Sequence, residues 1–352
     1  MIVVGVGLLA VGVVAGDFQS TLLGKFLLFA VLAISIDLIW GYAGILSLGH
    51  GIFFALGGYA VALSLKLQVG RQGTFHSVLP DFMTWNGLTA VPAWEAPLRD
   101  IGVAVAVGLA VPGAIAWVFG LLVLRARVSG VYLSIITLVA TAVAQLLFID
   151  QQAYTGGFNG ITDLAPLRLF GFMFHAAELY DLIVVVFIML LAFAWWLTHS
   201  RFGTILSAVR DNEERTQSFG YDTASFKTFV YVVSALMAAI AGMLFVPLNG
   251  FISPELLGVS FSIQAVIWVA IGGRGTLVGA AIGAVFLNEM QSLLSNRFSE
   301  LWQLVVGISI ICVVLVLPDG LISLTEFVPR RRRAGATRPV VNAAGSERVE
   351  GA

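Results

Sequence analysis

The sequence predicts an all-α polytopic membrane protein, with about 8–10 transmembrane helices and an amphipathic helix lying outside the bilayer. Three observations carry this. Of 352 residues, 59% are hydrophobic and 11% charged, whereas a soluble domain has about 25% charged residues. Mean hydropathy is +0.96. Apolar runs long enough for a helical span recur along the chain, and one long polar, charge-rich stretch, Ser200 to Phe226, lies between two of them.

A helical span takes about 20 apolar residues. Candidates run over 2–16, 22–41, 45–66, 101–123, 131–149, 179–198, 227–247, 261–271, 277–293 and 302–317. The first has no basic flank or clear cleavage site, so it reads as a short membrane helix rather than a signal peptide. The 261–271 run is too short to cross unaided and reads as broken or re-entrant. Such breaks are tolerated where protein or a water-filled cavity satisfies the freed backbone groups.

Sidedness follows from Arg in the short loops. With ten crossings, Arg125 and Arg127, the arginines of Ser200–Phe226, Arg274, and the run Arg330–Arg333 all fall on one side, the cytoplasm. The loops 67–100 and 150–178 then face outward, and both termini are cytoplasmic. Residues 1–329 form the permease domain, with the Ser200–Phe226 segment inserted. The tail 330–352 is polar and basic and reads as disordered, its four arginines either a positive-inside anchor, the plainer reading, or a contact for anionic lipid headgroups.

Several classes are excluded. The net charge of −1 implies no nucleic-acid partner, and the single cysteine, Cys312, allows no disulfide. The four histidines show no metal-binding spacing, and no nucleophile elbow is present. There is no Gly-x-x-x-x-Gly-Lys-Ser/Thr loop, so the chain is not expected to hydrolyse ATP or hold a metal or cofactor itself.

The polar stretch reads as one helix over 203–219. Ile205, Leu206, Val209 and Phe219 share a face, Arg210, Asp211 and Glu214 carry charge, and Gly220 is the natural stop. Two glycine-rich segments interrupt apolar runs. In 40–60, Gly44, Ser47, Gly49, His50 and Gly51 either line a translocation path or serve close helix packing, with His50 hydrogen-bonded at a helix end. In 266–280, Gly272, Gly273 and Arg274 either brace a gate or form a basic turn. Gly41, Gly44 and Leu46 echo Gly272, Gly275 and Leu277, a pattern that in transporters often marks the solute site and that chance explains about as well in a chain with 38 glycines. Asp37 is expected to be solvated or paired. Gln145, Gln264 and Asn288 suit a neutral polar solute or interhelical contacts.

These residues carry a family resemblance. RDNEERTQSFGYDTASFKTFVYVVSALMAAIAGML is similar to the cytoplasmic coupling segment of ABC-importer permeases. That family's Glu-Ala-Ala-x-x-x-Gly pattern falls on Glu214, Arg215, Thr216 and Gly220, with both alanines replaced. From about residue 20 to 325 the chain resembles the second, M-type permease of the branched-chain amino-acid family. LIWGYAGILSLGHGIFFALGGYA, VSGVYLSIITL, GGFNGITD and VIWVAIGGRGTLVGA are most similar to urea-transporter permeases, with departures at Leu138 and Phe158.

The resemblance implies a permease in a bacterial inner membrane, importing urea or, alternatively, branched-chain amino acids or short amides. Its implied partners are a second homologous permease, two cytoplasmic ATPases holding ATP and Mg, and a periplasmic solute-binding protein. It adds Asn159, in the GGFNG loop, to the path. Ile205, Leu206 and Val209 would pack in an ATPase groove, Arg210, Asp211 and Glu214 would form rim charge pairs, and Gly220 would set the helix's aim. A stand-alone channel or secondary transporter is the competing class.

Overall fold

The computed structural model describes residues 16–70, 79–126, 128, 130–169, 171–297 and 307–308. The predicted spans 2–16 and 302–317 and the tail from residue 330 lie outside the described residues, apart from Gly16, Gly307 and Ile308.

The bundle is built around α1, Asp17–Ala43. Its sequence is apolar on every face, and a helix without a polar stripe is stable only when surrounded. Leu28, Ala30, Leu32, Ile34 and Leu38 are accordingly fully buried. Around it pack α2 (His50–Val69), α7 (Ala176–His199), α10 (Thr223–Asn249), α11 (Val259–Gly272) and α12 (Leu277–Arg297). Completing the described helices are α3 (Asp81–Trp85), α4 (Ile101–Phe119, continued by a π turn to Leu124), α5 (Val131–Asp150), α6 (Gln152–Thr155), α8 (Arg201–Asp211) and α9 (Glu213–Ser218). α4, α5 and α7 keep large apolar side chains such as Trp117, Leu146 and Trp196 exposed, as a lipid-facing or partner-facing surface requires.

Seven of these helices are long and apolar enough to cross a membrane, and α11 is a shorter apolar helix. The chain is therefore an all-α polytopic membrane protein. At 14 residues α11 spans about 21 Å, short of the ~30 Å hydrocarbon layer. It ends at the Gly273–Thr276 turn, and α12 doubles back along it. A side chain at Gly272 or Gly283 would strike the facing backbone, so glycine permits this approach.

Packing between α2 and α10 has the same basis. A Cβ at Gly242 would overlap the Phe54 carbonyl, and one at Gly57 the Ala239 backbone. Beside this contact Phe29 stacks on Trp268 (5.0 Å) and Phe245 (5.8 Å), joining α1 to α10 and α11.

The single helix expected over 203–219 is in fact two. Asn212 leaves helical geometry (φ −160°) and caps α9 by accepting a hydrogen bond from Arg215 N at 2.9 Å. An N-cap residue followed by two glutamates is a helix start, and it interrupts an otherwise continuous apolar spacing.

At the end of the bundle remote from α8 and α9, buried Lys66 bonds to Asp81 (3.1 Å) and Asp163 (3.7 Å), tying α2 to the two long loops. Ile161 and Ile252 pair as a β-bridge nearby. In the same region Glu95 is buried, and neither carboxylate oxygen has a hydrogen-bond partner. Burial pushes its pKa up to about 7.

Two outcomes are expected. Gly242→Ala should lower the detergent-solubilised melting temperature, at a cost of about 1–3 kcal/mol, because the α2–α10 contact cannot give way on the backbone side. The Glu95 carboxyl is protonated in the fold up to about pH 7 but ionises near the ordinary glutamate value of 4.5 when unfolded. Its contribution to stability therefore falls between those pH values and stays low above them. Glu95→Gln should flatten that part of the stability-against-pH curve, and an unchanged curve would refute the assignment.

Candidate functional site: a three-way junction at the end of α1

Three segments marked by the sequence meet at the carboxyl end of α1. α1 stops at Gly44, whose φ of +74° allows Ile45 N to turn back onto the Ile39 carbonyl at 3.0 Å. That closure leaves the Trp40 and Gly41 carbonyls without intrahelical partners. Two arginines from elsewhere in the chain take them. Arg210 of α8 donates Nη1 to Gly41 O at 2.6 Å. Arg274 donates Nε (3.2 Å) and Nη2 (3.1 Å) to Trp40 O, with its guanidinium 5.1 Å from the Trp40 ring centre.

Asp37, fully buried one turn earlier, accepts a hydrogen bond from Gly275 N at 2.7 Å. Gly41 must be glycine, because a Cβ there would lie 2.7 Å from the Gly275 backbone. The faint echo between GYAGIL and GGRGTL thus corresponds to a physical contact between the two segments. Partial burial lowers the pKa of Arg274, and nearby Arg210 lowers it further, whereas Asp37 raises it. Two cations at a helix carboxyl end also favour its dipole.

Residues 44–49 lie between α1 and α2 as non-helical but mostly buried backbone. Its polar groups are satisfied from α5: Ser134 Oγ donates to Leu46 O at 2.9 Å, and Leu48 N donates to Thr137 Oγ1 at 3.0 Å. Ser47 is buried, its Oγ 3.4 Å from the Tyr231 hydroxyl and accepting from Gly49 N.

His50 lies buried between helices at the start of α2. It is 1% exposed, with Nε2 2.7 Å from Ser234 Oγ. Ser234 gives its own proton to Ser35 O, so His50 Nε2 is the donor, and the chain ties α2 to α10 and α1. Phe53 and Tyr231 meet the ring edge-on. Gly51 packs against Ser262 and the Leu256 carbonyl.

The coupling residues divide. Leu206 and Val209 are 1% and 2% exposed and buried in this chain's own bundle, so they do not offer themselves to an ATPase groove; Ile205 is half-buried. An amphipathic helix beside a bundle turns its apolar stripe to the nearest core, here its own. Arg210, expected at a rim, points inward to Gly41 and also pairs with Asp211 at 3.0 Å. The exposed face is Asp211, Glu214, Arg215, Ser218 and Phe219, the last 73% exposed. Gly220 follows at φ +88°. Glu213, which the sequence reading passed over as a site residue, braces the segment by pairing with Lys227 (2.5 Å) and accepting from Thr223 (3.0 Å).

Asn159 stands apart. It is exposed in the loop at the opposite end, beside the Ile161–Ile252 bridge, and does not join the junction. Gln145, Gln264 and Asn288 line one cavity at that same end. Among the described residues no group of His, Cys, Asp and Glu is arranged to hold a metal ion.

Residues 19–314 match the model of the branched-chain amino acid transport system / permease component family. The chain belongs to that family. It is 26% identical to the high-affinity branched-chain amino acid permease LivM of Salmonella typhimurium, over 85% of this chain and 69% of LivM. It is 25% identical to LivH of the same organism, over 88% of this chain and 95% of LivH. The ribose import permease RbsC of Haemophilus influenzae is 26% identical over 57% of this chain and 63% of its own. No solved structure matches.

Removing either arginine should leave a helix-terminal carbonyl uncapped. Arg210→Ala and Arg274→Ala are each expected to destabilise the solubilised protein by about 1–2 kcal/mol, measured by thermal unfolding. Their effects should be non-additive, because neighbouring carbonyls of one helix end share the loss.

Proposed function

We propose that this chain is the membrane-spanning subunit of an ATP-driven importer that carries urea across the bacterial inner membrane, with the arginine-rich end in the cytoplasm. The observation that carries the ATP-driven part is the hydrogen bond from Arg210 to Gly41 O. It joins a charged segment outside the bilayer directly to the central helix. Separate ATPase subunits holding ATP and Mg would grip the exposed face of α9, through Phe219, Glu214 and Arg215, and leave Leu206 and Val209 in place. Closure of the ATPases would move α8 and α9, and through Arg210 tilt the end of α1, rocking the bundle between inward- and outward-facing states. A second permease would cover the exposed apolar helices, and a periplasmic binding protein would deliver the solute to the end carrying Asn159. Lipid covers the remaining apolar surface.

Urea is supported by the stretches LIWGYAGILSLGHG and WVAIGGRGTLVGA, which resemble urea-transporter permeases. The similarity to the branched-chain amino acid permease LivM favours a second reading, a branched-chain amino acid as cargo.

Labelled urea and labelled leucine uptake in nitrogen-starved cells, with and without the gene and with and without ATP, separates these. Loss of ATP-dependent urea uptake alone is expected. Loss of leucine uptake would move the cargo, and urea flux that survives ATP depletion would refute the importer. Gly220→Val, which forces a side chain into φ +88°, should re-aim α9 and uncouple ATP hydrolysis from uptake. Normal uptake with ATPase still stimulated by loaded binding protein would refute that role.

A further inference from the structure

A cavity of ≈ 860 Å³ opens between α1, α5, α10, α11 and α12 at the end remote from the arginine junction. Its lining is unusual for a membrane protein in holding an unpaired cation. Lys25 lies eight residues inside α1, about 12 Å along the helix axis, and no carboxylate pairs with it among the described residues. A lysine near the start of a span ordinarily reaches back toward water. Lys25 instead leans one turn deeper, its Nζ 5.7 Å from the Phe29 ring centre and 5.9 Å from that of Phe245, both of which line the cavity. Aromatic faces hold an ammonium without consuming its N–H donors.

Opposite in character are the carboxamides. Gln264 Nε2 donates to Gln291 Oε1 at 3.0 Å, and Asn288, 8% exposed, donates Nδ2 to Ala284 O at 2.8 Å. These bonds fix the orientation of both amides by using a hydrogen of each. They leave the Gln264 and Asn288 oxygens with no donor among the described residues. The cavity therefore offers a cationic donor and carbonyl acceptors, in a wall otherwise rich in phenylalanine.

We propose that this cavity is a solute-binding station within the membrane for a small neutral diamide. Lys25 donates to the solute's carbonyl oxygen, and Gln264 and Asn288 accept from its N–H groups. A diamide such as urea has one strong acceptor and N–H donors on both sides, the complement of this lining. The station rests on the urea reading above and adds selection by the permease itself. A zwitterion would need a second, anionic partner. The cavity's carboxylate Glu255 is exposed, so it marks the alternative.

The test uses the complete transporter in proteoliposomes, with saturating binding protein, measuring labelled-urea uptake and binding-protein-stimulated ATPase activity together. Lys25→Met should lower urea uptake about tenfold, the loss of one charge-assisted hydrogen bond, while ATPase stimulation persists. Lys25→Arg should restore most of the uptake, Gln264→Leu should impair it, and Glu255→Gln should leave it unchanged. Wild-type uptake in Lys25→Met would overturn the proposal. So would a joint fall of uptake and ATPase activity in both Lys25 variants, which would mark a purely structural lysine. If the wild-type complex imports leucine and not urea, the urea reading fails on its own. Leucine uptake abolished by both Lys25→Met and Glu255→Gln would then identify a zwitterion site and overturn the diamide assignment.

Discussion

The carbonyls at the carboxyl end of α1 are the constraint on which the structure turns. α1 is enclosed by other helices along most of its length, its last carbonyls have no intrahelical partners, and an unmet buried acceptor costs about 1–3 kcal/mol. The chain satisfies them with Arg210 and Arg274, drawn from α8 and from the turn after α11, while Asp37 receives the backbone of that same turn. A helix end has become the point where three distant segments are fastened. Gly41 is required because a Cβ there would lie 2.7 Å from the Gly275 backbone, and Gly275 is favoured by its φ of +79°.

That arrangement ties stability to mechanics. A segment joined to the bundle only by exposed contacts could shift without consequence for the membrane helices. Here α8 buries Leu206 and Val209 and anchors Arg210 on the central helix, so it cannot be displaced without moving α1 or breaking a charge-assisted hydrogen bond. α9 is different: it is separated by the break at Asn212, its outer face is exposed, and Phe219 protrudes. Glu213 and Lys227 pair to join α9 to the start of α10.

The two ends of the bundle also differ in how they treat polar groups. At the arginine end, buried polar groups pair within the chain, His50 with Ser234, Leu46 and Leu48 with α5, Asp37 with Gly275, while His50 Nδ1 and Asp37 Oδ2 have no partner among the described residues. Such networks rigidify. At the other end, Lys25, Gln264 and Asn288 keep unused hydrogen-bonding capacity around an open cavity. Polar groups held rigid by packing suit transmission of force, and polar groups left unsatisfied suit a passing solute.

By itself the sequence determined the class of fold and the segments that matter. Hydropathy and span length are local properties, so the membrane helices, the short 261–271 run and the non-membrane segment were legible from composition and period. The glycine-interrupted stretches were legible too, as places where backbone would approach backbone. The N-cap at Asn212 was written in the Asn-Glu-Glu order but was outweighed by an apolar spacing that ran through it. What only the tertiary structure decided was direction. Whether Leu206 and Val209 face a partner or the chain's own core, whether His50 lines a path or ties helices, and whether Arg210 meets a rim or a helix end depend on which element lies opposite. A side chain's partner across 169 residues of sequence, as for Arg210 and Gly41, leaves no trace in local periodicity. It is fixed by the need to satisfy the carbonyls at the end of α1.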